Sequence, residues 1–162
     1  MKRIETVEEL YKVAEKKRAC EEGLEWLEEQ TSLECLNTQE SIRLGYWKWC
    51  VRHSPGMDYI LEKVNANLLN SYDAYLYCLS IKDIKSVRDK ITESYYAYRY
   101  CREIKDIKSV RDRITDSYYA YRYCREIEDK EEIRDKITDS DDAYLYCLDI
   151  RDIKSVRERI KK

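Results

Sequence analysis

A 23-residue unit is repeated four times without a gap over residues 71–162. The copies read SYDAYLYCLSIKDIKSVRDKITE, SYYAYRYCREIKDIKSVRDRITD, SYYAYRYCREIEDKEEIRDKITD and SDDAYLYCLDIRDIKSVRERIKK. A short fixed period is typical of stacked repeats, in which each repeat buries its apolar face only against its neighbours. The sequence therefore predicts an all-α protein, an α-solenoid of short two-helix repeats.

Each repeat is expected to contain two helices. The first opens at a serine, a residue type favoured at helix N-caps, and runs through an Ala-Tyr-x-Tyr-Cys segment to an isoleucine. An aspartate two residues later is expected to cap the second helix, whose apolar residues have helical spacing, as in Ile84, Val87 and Ile91. The serines are Ser71, Ser94, Ser117 and Ser140, and the aspartates are Asp83, Asp106, Asp129 and Asp152.

Positions that are identical in all four copies mark the expected core. At about 100° per residue, Ala97, Cys101 and Ile104 form one stripe of the first helix. Tyr98 and Tyr100 flank this stripe, and we expect their rings to reach the preceding and following repeats. A partly buried guanidinium needs partners, so the invariant arginines are expected to bond to an Asp or a Tyr hydroxyl of an adjacent repeat. These arginines are Arg88, Arg111, Arg134 and Arg157.

Four of the seven cysteines occupy one repeat position. Equivalent atoms in stacked helical layers lie roughly 8 to 10 Å apart. A disulfide requires Cα atoms within roughly 7 Å. We therefore expect buried free thiols at Cys78, Cys101, Cys124 and Cys147.

The region before the clean copies is expected to contain a divergent repeat and a cap. Trp47-Lys48-Trp49-Cys50 has the residue order of Tyr98-Arg99-Tyr100-Cys101, so residues 46–70 are interpreted as a divergent first repeat that is lengthened by a Pro-Gly turn. Residues 1–45 start with a capping-box pattern at Thr6 and are expected to form an N-terminal helical cap with an acidic, solvated face. The predicted organisation is a cap over 1–45, a divergent repeat over 46–70 and four repeats over 71–162, in one continuous domain.

Charge and hydropathy limit the classes of partner. Residues 1–70 carry 10 Lys and Arg against 13 Asp and Glu, and the four repeats carry 21 against 20, so neither part attracts polyanions strongly. No apolar run is long enough to span a membrane, and acidic residues rather than an apolar signal segment follow the first three residues. The sequence predicts a cytoplasmic protein without a membrane partner.

No motif indicates catalysis, a cofactor or a metal. The single histidine, His53, follows Cys50 by three residues, but no Gly-rich oxyanion loop accompanies this pair. No Cys pair has metal-ligand spacing, and no phosphate-binding loop or dinucleotide fingerprint is present. Asp141 and Asp142 are interpreted as first-turn acids that the helix dipole favours. The sequence predicts a protein that is not an enzyme and has no catalytic, cofactor-binding or metal-binding residues.

The face of the first helix that varies between copies is the candidate surface for a partner. Its middle copies display Tyr and Arg, the side chains most enriched in interface hot spots. Its outer copies display an Asp and two Leu, which are Asp73, Leu76 and Leu79 in the first and Asp142, Leu145 and Leu148 in the last. The predicted partner-binding residues are Tyr96, Arg99, Arg102, Tyr119, Arg122, Arg125, Leu145 and Leu148. Alternatively, Glu103 and Glu126 neutralise a solvated Arg-Tyr surface, and the cap or a second copy covers the Leu pairs.

The repeat S-x-x-A-Y-x-Y-C-x-x-I-x-D resembles the short Ala-Tyr-x-Tyr helical repeats of uncharacterised proteins from phages, prophages and other mobile elements. The segment from Ala19 to Trp26, together with Arg43 and the Trp47-x-Trp49 pattern, looks like a leader of phage-associated proteins. The chain departs from the repeat pattern where it lacks a Pro at the start of the second helix. The resemblance implies a mobile-element protein that acts inside a bacterial cell, and it brings no catalytic residues.

These features predict a non-enzymatic α-solenoid that binds another protein, as a phage or mobile-element inhibitor or adaptor that occludes a host or defence-system protein. The first alternative is a structural or assembly protein that forms homo-oligomers through its repeat ends. Nucleic acid is a disfavoured partner, although Tyr and Arg can stack on bases, because the third copy has 5 Lys and Arg against 7 Asp and Glu. An enzyme that uses Cys50 and His53 ranks below these alternatives.

Overall fold

A computed structural model describes residues 3–160, which form helices and connecting turns. No strand occurs in this range, so the prediction of an all-α protein is confirmed. The chain folds into two compact units, Met1–Lys90 and Ile91–Lys162. Within residues 3–160, no helix combines the length and the apolar character that crossing a bilayer requires.

The first compact unit contains seven α-helices and two short 3₁₀ helices among its described residues. The α-helices are α1 Val7–Lys16, α2 Glu21–Glu28, α3 Gln39–Leu44, α4 Tyr46–His53, α5 Asp58–Leu61, α6 Ser71–Ser80 and α7 Lys85–Arg88. The 3₁₀ helices are Leu33–Asn37 and Ala66–Leu68. Residues 46–70 thus show a longer helix followed by a four-residue helix, the same order that residues 71–90 show.

Side-chain caps explain where α1 begins. Thr6 Oγ1 accepts a hydrogen bond of 3.1 Å from the backbone N–H of Glu9, as the capping-box pattern predicts. The Glu9 carboxylate reaches back to the backbone N–H of Glu5 at 2.9 Å, one residue before the position that the capping box predicts. Helix α1 buries Leu10 and Ala14 and packs against α2, so the apolar stripe of the sequence becomes the helix interface.

Helix α4 packs against α6 through aromatic side chains. The Trp47 ring is fully buried and lies parallel to the Tyr77 ring, with 6.3 Å between the centroids. The Tyr77 hydroxyl donates to the backbone carbonyl of Glu62 at 3.4 Å, and Lys48 forms an ion pair of 3.1 Å with the buried Asp73. These contacts place residues 46–70 beside α6 in the way that successive copies lie beside each other in the second compact unit.

The second compact unit repeats one arrangement three times. Its helices are α8 Ser94–Glu103, α9 Lys108–Arg111, α10 Ser117–Glu126, α11 Glu131–Arg134, α12 Ser140–Asp149 and α13 Lys154–Arg157. The ten-residue helix α10 packs against both α8 and α12, and each ten-residue helix contacts the four-residue helix that follows it. As the sequence predicts, Ala97, Tyr98, Tyr100 and Cys101 are buried, whereas Ile104 is half-buried.

The predicted N-caps of the long helices are wrong. The capping residues are Asn70, Glu93, Asp116 and Asp139, and each serine is the first helical residue instead. Ser94 Oγ accepts hydrogen bonds from the backbone N–H groups of Thr115 at 2.9 Å and Asp116 at 3.1 Å. Ser117 Oγ bonds in the same way to the two residues before α12, at 3.1 and 3.0 Å. The serine therefore joins the start of its own copy to the end of that copy, where the next long helix begins.

The predicted caps of the short helices are also wrong. Ile107 is the N-cap of α9, and Asp106 lies one residue earlier, where its carboxylate accepts from Arg111 at 2.6 Å. The other three arginines also pair with an aspartate of their own repeat, at 3.0 to 3.2 Å: Arg88 with Asp83, Arg134 with Asp129, and Arg157 with Asp152. The expected partner was an Asp or a Tyr hydroxyl of an adjacent repeat, whereas each of these Arg-Asp pairs lies within one repeat, because the five-residue spacing lets Arg fold back over its own turn. Arg111 in addition donates to Glu132 of the following repeat at 2.9 Å.

Candidate functional site

The repeated tyrosines of the long helices hold neighbouring helices in register. The Tyr98 hydroxyl donates to Glu126 of the following helix, and the Tyr121 hydroxyl donates to Asp149 at 2.6 Å. The second tyrosine points the other way, since the Tyr123 hydroxyl donates to Asp106 at 2.8 Å. These bonds confirm that the two invariant tyrosines reach both neighbouring repeats, and they fix the side chains that α8 and α10 present to solvent.

The solvent-facing side chains of α8 and α10 form one continuous surface, which we call the Tyr/Arg patch. It consists of Tyr95, Tyr96, Arg99, Arg102, Tyr118, Tyr119, Arg122 and Arg125. Tyr119 occupies its centre, with its ring centroid 5.4 Å from those of Tyr95 and Tyr118 and 6.0 Å from that of Tyr98. Rings at these separations attract each other. The patch therefore spans two repeats as a single aromatic cluster.

Arginine side chains lie over the aromatic rings of the patch. The Arg122 guanidinium carbon is 5.5 Å from the Tyr98 centroid and 5.8 Å from the Tyr118 centroid, and Arg99 lies 5.8 Å from the Tyr95 centroid. The guanidinium groups of both arginines are also held in place by hydrogen bonds. Arg99 donates to Glu103 through two nitrogens, and Arg122 donates to Glu126. The four-residue spacing places each Tyr, Arg and Glu in one row of the helix surface.

Glu126 connects the two repeats electrostatically. Its carboxylate accepts hydrogen bonds from Arg122, from Tyr98 and, at 3.1 Å, from Arg102 of the preceding helix. Burial alone would raise the pKa of Glu126, but the bonds from Arg122, Tyr98 and Arg102 outweigh it and lower the pKa to about 2. Glu126 is therefore ionised at every physiological pH and holds both arginines in place.

The arginines predicted to bind a partner are all hydrogen bonded within the chain. Arg102 donates to the Tyr98 hydroxyl at 2.9 Å and to Glu103 at 2.6 Å. Arg125 donates to the Tyr121 hydroxyl at 3.0 Å, although its side chain remains 53% exposed. Glu103 and Glu126 do neutralise the surface, as the alternative interpretation of the sequence stated. The patch is thus a preorganised surface in which Glu103, Glu126 and Asp149 offset most of the charge of the four arginines, which reduces its attraction for a phosphate backbone.

The leucines predicted to bind a partner lie in different environments. Leu145 is half-buried and lines an open depression together with Tyr118, Arg122 and Arg125, so the structure brings it next to the patch. Leu148 is 67% exposed. In the first copy the prediction of an exposed arc is wrong for Asp73 and Leu76, which are buried, and right for Leu79, which is exposed. Asp142 in the last copy is likewise buried rather than exposed.

Sequence reasoning placed Tyr95 and Tyr118 on the variable arc but left them out of the predicted binding residues. They are 37% and 43% exposed, whereas Tyr96 and Tyr119 are half-buried between the helices. The four-residue spacing could have identified them, because it places Tyr95 beside Arg99 and Tyr118 beside Arg122 on the helix surface. Their hydroxyls accept hydrogen bonds from these arginines at 3.1 and 3.2 Å.

Cys50 and His53, considered from the sequence as a nucleophile and its base, lie in different environments. Cys50 is buried and burial raises the pKa of its thiol to about 12, whereas His53 is exposed at the end of α4. The repeated cysteines are free thiols, and burial together with the nearby Asp106 raises the pKa of Cys101 to about 12. Within residues 3–160, no three His, Cys, Asp or Glu side chains are grouped closely enough to hold a metal ion.

The fold and the Tyr/Arg patch together define a class of protein, an all-helical protein with repeated pairs of helices. No protein-family model, curated protein or solved structure matches the chain.

Proposed function

We propose that this chain is a non-enzymatic α-solenoid that binds another protein through the Tyr/Arg patch. The observation that carries the proposal is the fixed Tyr, Arg and Glu arrangement across α8 and α10, which leaves Tyr95 and Tyr118 partly exposed. Side chains that are already ordered lose little conformational entropy on binding. Tyr and Arg are also the residue types that dominate interface hot spots.

The contacts between successive helices support the solenoid part of the proposal. In the second compact unit, α8, α10 and α12 pack in sequence order and are joined by the same tyrosine and aspartate bonds. In the first compact unit, α4 packs against α6, and Tyr77 bonds backwards to the preceding short segment as Tyr123 does. A solenoid built in this way presents its variable helix face as a continuous surface.

The proposed setting is the cytoplasm of a bacterium, where the chain acts as a phage or mobile-element inhibitor or adaptor. This part of the proposal rests on the resemblance of the Ala-Tyr-x-Tyr-Cys repeats to mobile-element proteins. The proposed mechanism is steric occlusion of a host or defence-system protein. A rigid, nearly neutral surface suits this role, because it can cover a partner's site without chemistry of its own.

The test starts with a pull-down from bacterial lysate and continues with the affinity of the purified partner. The patch variant combines Tyr95→Ala, Arg99→Ala, Tyr118→Ala and Arg122→Ala. We expect it to weaken binding by at least about 100-fold, since hot-spot truncations cost about 2 kcal/mol or more. The matched control combines Lys105→Ala, Lys108→Ala and Lys154→Ala, three exposed lysines outside the patch. Unchanged affinity in a patch variant that keeps its helicity would overturn the proposal.

Self-association through a repeat end is the second candidate function. Tyr144 is 55% exposed, whereas the equivalent Tyr98 and Tyr121 are each 2% exposed because a further repeat of the same kind covers them. A second copy of this chain carries the same side chains that cover this face in the inner repeats. Leu145→Arg with Leu148→Arg restores the residues of the middle copies and should lower the mass in light scattering at high concentration. If light scattering shows that the unmodified chain is a monomer at all concentrations, self-association through the repeat end is excluded.

A further inference from the structure

The first compact unit contains an apolar pocket that the Tyr/Arg patch does not involve. It lies among α1, α2 and the α3–α4 region and has a volume of about 160 Å³. Small residues form one side, namely Ala14, Ala19 and Gly23, and aromatic residues form the other, namely Trp26, Tyr46 and Trp49. No charged side chain lines the pocket.

The aromatic side of the pocket is held in a fixed position. The rings of Trp26 and Tyr46 have centroids 4.6 Å apart and are tilted by 33°. The Tyr46 hydroxyl donates to the backbone carbonyl of Glu22 at 3.3 Å, which keeps the ring against α2. A Cβ on Gly23 would lie 3.3 Å from Cys20 Sγ and 3.4 Å from the Tyr46 ring, so residue 23 packs closely against both lining side chains. The ring contact and the hydrogen bond of Tyr46 therefore keep the aromatic residues of the pocket in place.

The volume and the lining select the chemistry of a ligand. A volume of about 150 Å³ with apolar walls is enough to hold a benzene-sized molecule. A charged ligand would lose its hydration without gaining an ionic partner, because the lining carries no charge. Aromatic walls favour a flat ring, which can pack edge-to-face or offset against them.

We propose that this pocket is a binding site for a small uncharged aromatic molecule, of the size of benzene or indole. The site is independent of the proposed protein-binding function, since it lies in the other compact unit and shares no residue with the patch. Cys20 lines the same pocket and is exposed, so its thiol reports whether the pocket is filled.

The first test is a titration of the purified chain with indole, followed by NMR shifts of the pocket residues. Ala14→Leu places a larger side chain in the pocket, and Ala66→Leu is the matched control in the same compact unit but outside the lining. We expect saturable shifts in the unmodified chain and in Ala66→Leu, and at least tenfold weaker binding in Ala14→Leu. The absence of saturation, or equal binding in all three, would overturn the proposal.

The second test does not depend on a folded Ala14→Leu variant. Iodoacetamide labelling of Cys20 in the unmodified chain is followed by peptide mass spectrometry, with increasing concentrations of indole and, separately, of tetramethylammonium. We expect indole to slow the labelling of Cys20 at least threefold and tetramethylammonium to leave it unchanged. Labelling that indole does not slow would refute the proposed site, and protection by tetramethylammonium alone would refute the assignment of an uncharged ligand.

Discussion

The Tyr123 hydroxyl donates a hydrogen bond of 2.8 Å to Asp106, a residue of the preceding repeat. The same carboxylate accepts from Arg111 at 2.6 Å and from Lys130 at 2.7 Å. Burial would raise the pKa of Asp106, but the bonds from Lys130, Arg111 and Tyr123 prevail and lower the pKa to about 2. One ionised aspartate thus joins two repeats, and a tyrosine ring that is fully buried keeps its hydroxyl satisfied.

Removing this hydroxyl should weaken the contact between repeats. We expect Tyr123→Phe to lower the free energy of unfolding by about 1 kcal/mol, the usual net value of one hydrogen bond. Urea denaturation monitored by circular dichroism measures the change. Tyr144→Phe, at an exposed ring, serves as the control and should change the stability by less than about 0.5 kcal/mol. Equal effects of the two substitutions would show that the bond to Asp106 does not stabilise the fold.

Acid should destabilise the second compact unit through Glu126 and Asp106. Their ordinary pKa values are 4.5 and 3.8, and both fall to about 2 in the folded chain. The unfolded chain therefore binds protons first as the pH falls, so the stabilisation is complete above about pH 4.5 and is lost towards pH 2. Burial raises the pKa of Asp142, whose contribution has the opposite sign.

Urea midpoints between pH 7 and pH 2.5 test this pH dependence. We expect Glu126→Gln with Asp106→Asn to be less stable than the unmodified chain at pH 7 and to lose less stability on acidification. The Asp112→Asn variant is the control, since Asp112 is exposed and its carboxylate pairs with Lys108, four residues earlier, in an exposed contact. A double variant with an unchanged acid dependence would contradict the assigned pKa values.

The bridge that Ser94 makes between the start and the end of its copy should also contribute to stability. Ser94→Ala leaves the backbone N–H groups of Thr115 and Asp116 without their side-chain acceptor. We expect a loss of about 1 kcal/mol, measured by urea denaturation, because these groups are near the surface and water replaces part of the bond. Ser109→Ala, at an exposed position of α9, should be neutral or slightly stabilising since alanine favours helices. A larger loss for Ser109→Ala than for Ser94→Ala would argue against the bridge.

One pair of equivalent tyrosines should respond differently to truncation. Tyr121 is 2% exposed and Tyr144 is 55% exposed, although both occupy the same repeat position. We expect Tyr121→Ala to cost about 3 kcal/mol or more, as removal of a buried aromatic ring does. Tyr144→Ala should cost less than about 1 kcal/mol in dilute solution. Differential scanning calorimetry of both variants gives the comparison, and similar losses would mean that the face around Tyr144 is covered.

Much of the secondary structure follows from the sequence alone. The invariant Ala97, Cys101 and paired tyrosines predict the buried face of α8, because helical spacing places them on one side. The caps do not follow, since Ser, Asn and Asp are all acceptable N-cap residues and neighbouring positions compete for the role. Ser94 is drawn out of that role by the backbone N–H groups of Thr115 and Asp116, which lie 21 and 22 residues further along the chain and which no local pattern reveals.

The candidate site is predictable in its composition and not in its geometry. The repeat comparison identifies Arg99 and Arg122 as residues of the variable face, and the structure confirms that they are partly exposed. The comparison of the repeats does not reveal that the two guanidinium groups are already hydrogen bonded to Glu103 and Glu126. The pocket beside Trp26 and Tyr46 has no sequence signal either, because it arises where three separate helical segments meet.

The sequence by itself determined the repeat length, the helical class and the buried stripe of α8 at Ala97 and Cys101, because each of these depends on local spacing along the chain. Only the tertiary structure decided which hydrogen bonds cross between repeats and which chemically identical residues are exposed. Tyr121 and Tyr144 have the same local sequence position, yet one is covered by a following helix and the other is not. The physical reason is that burial and hydrogen bonding of a side chain depend on what packs against its helix, and that neighbour comes from another part of the chain.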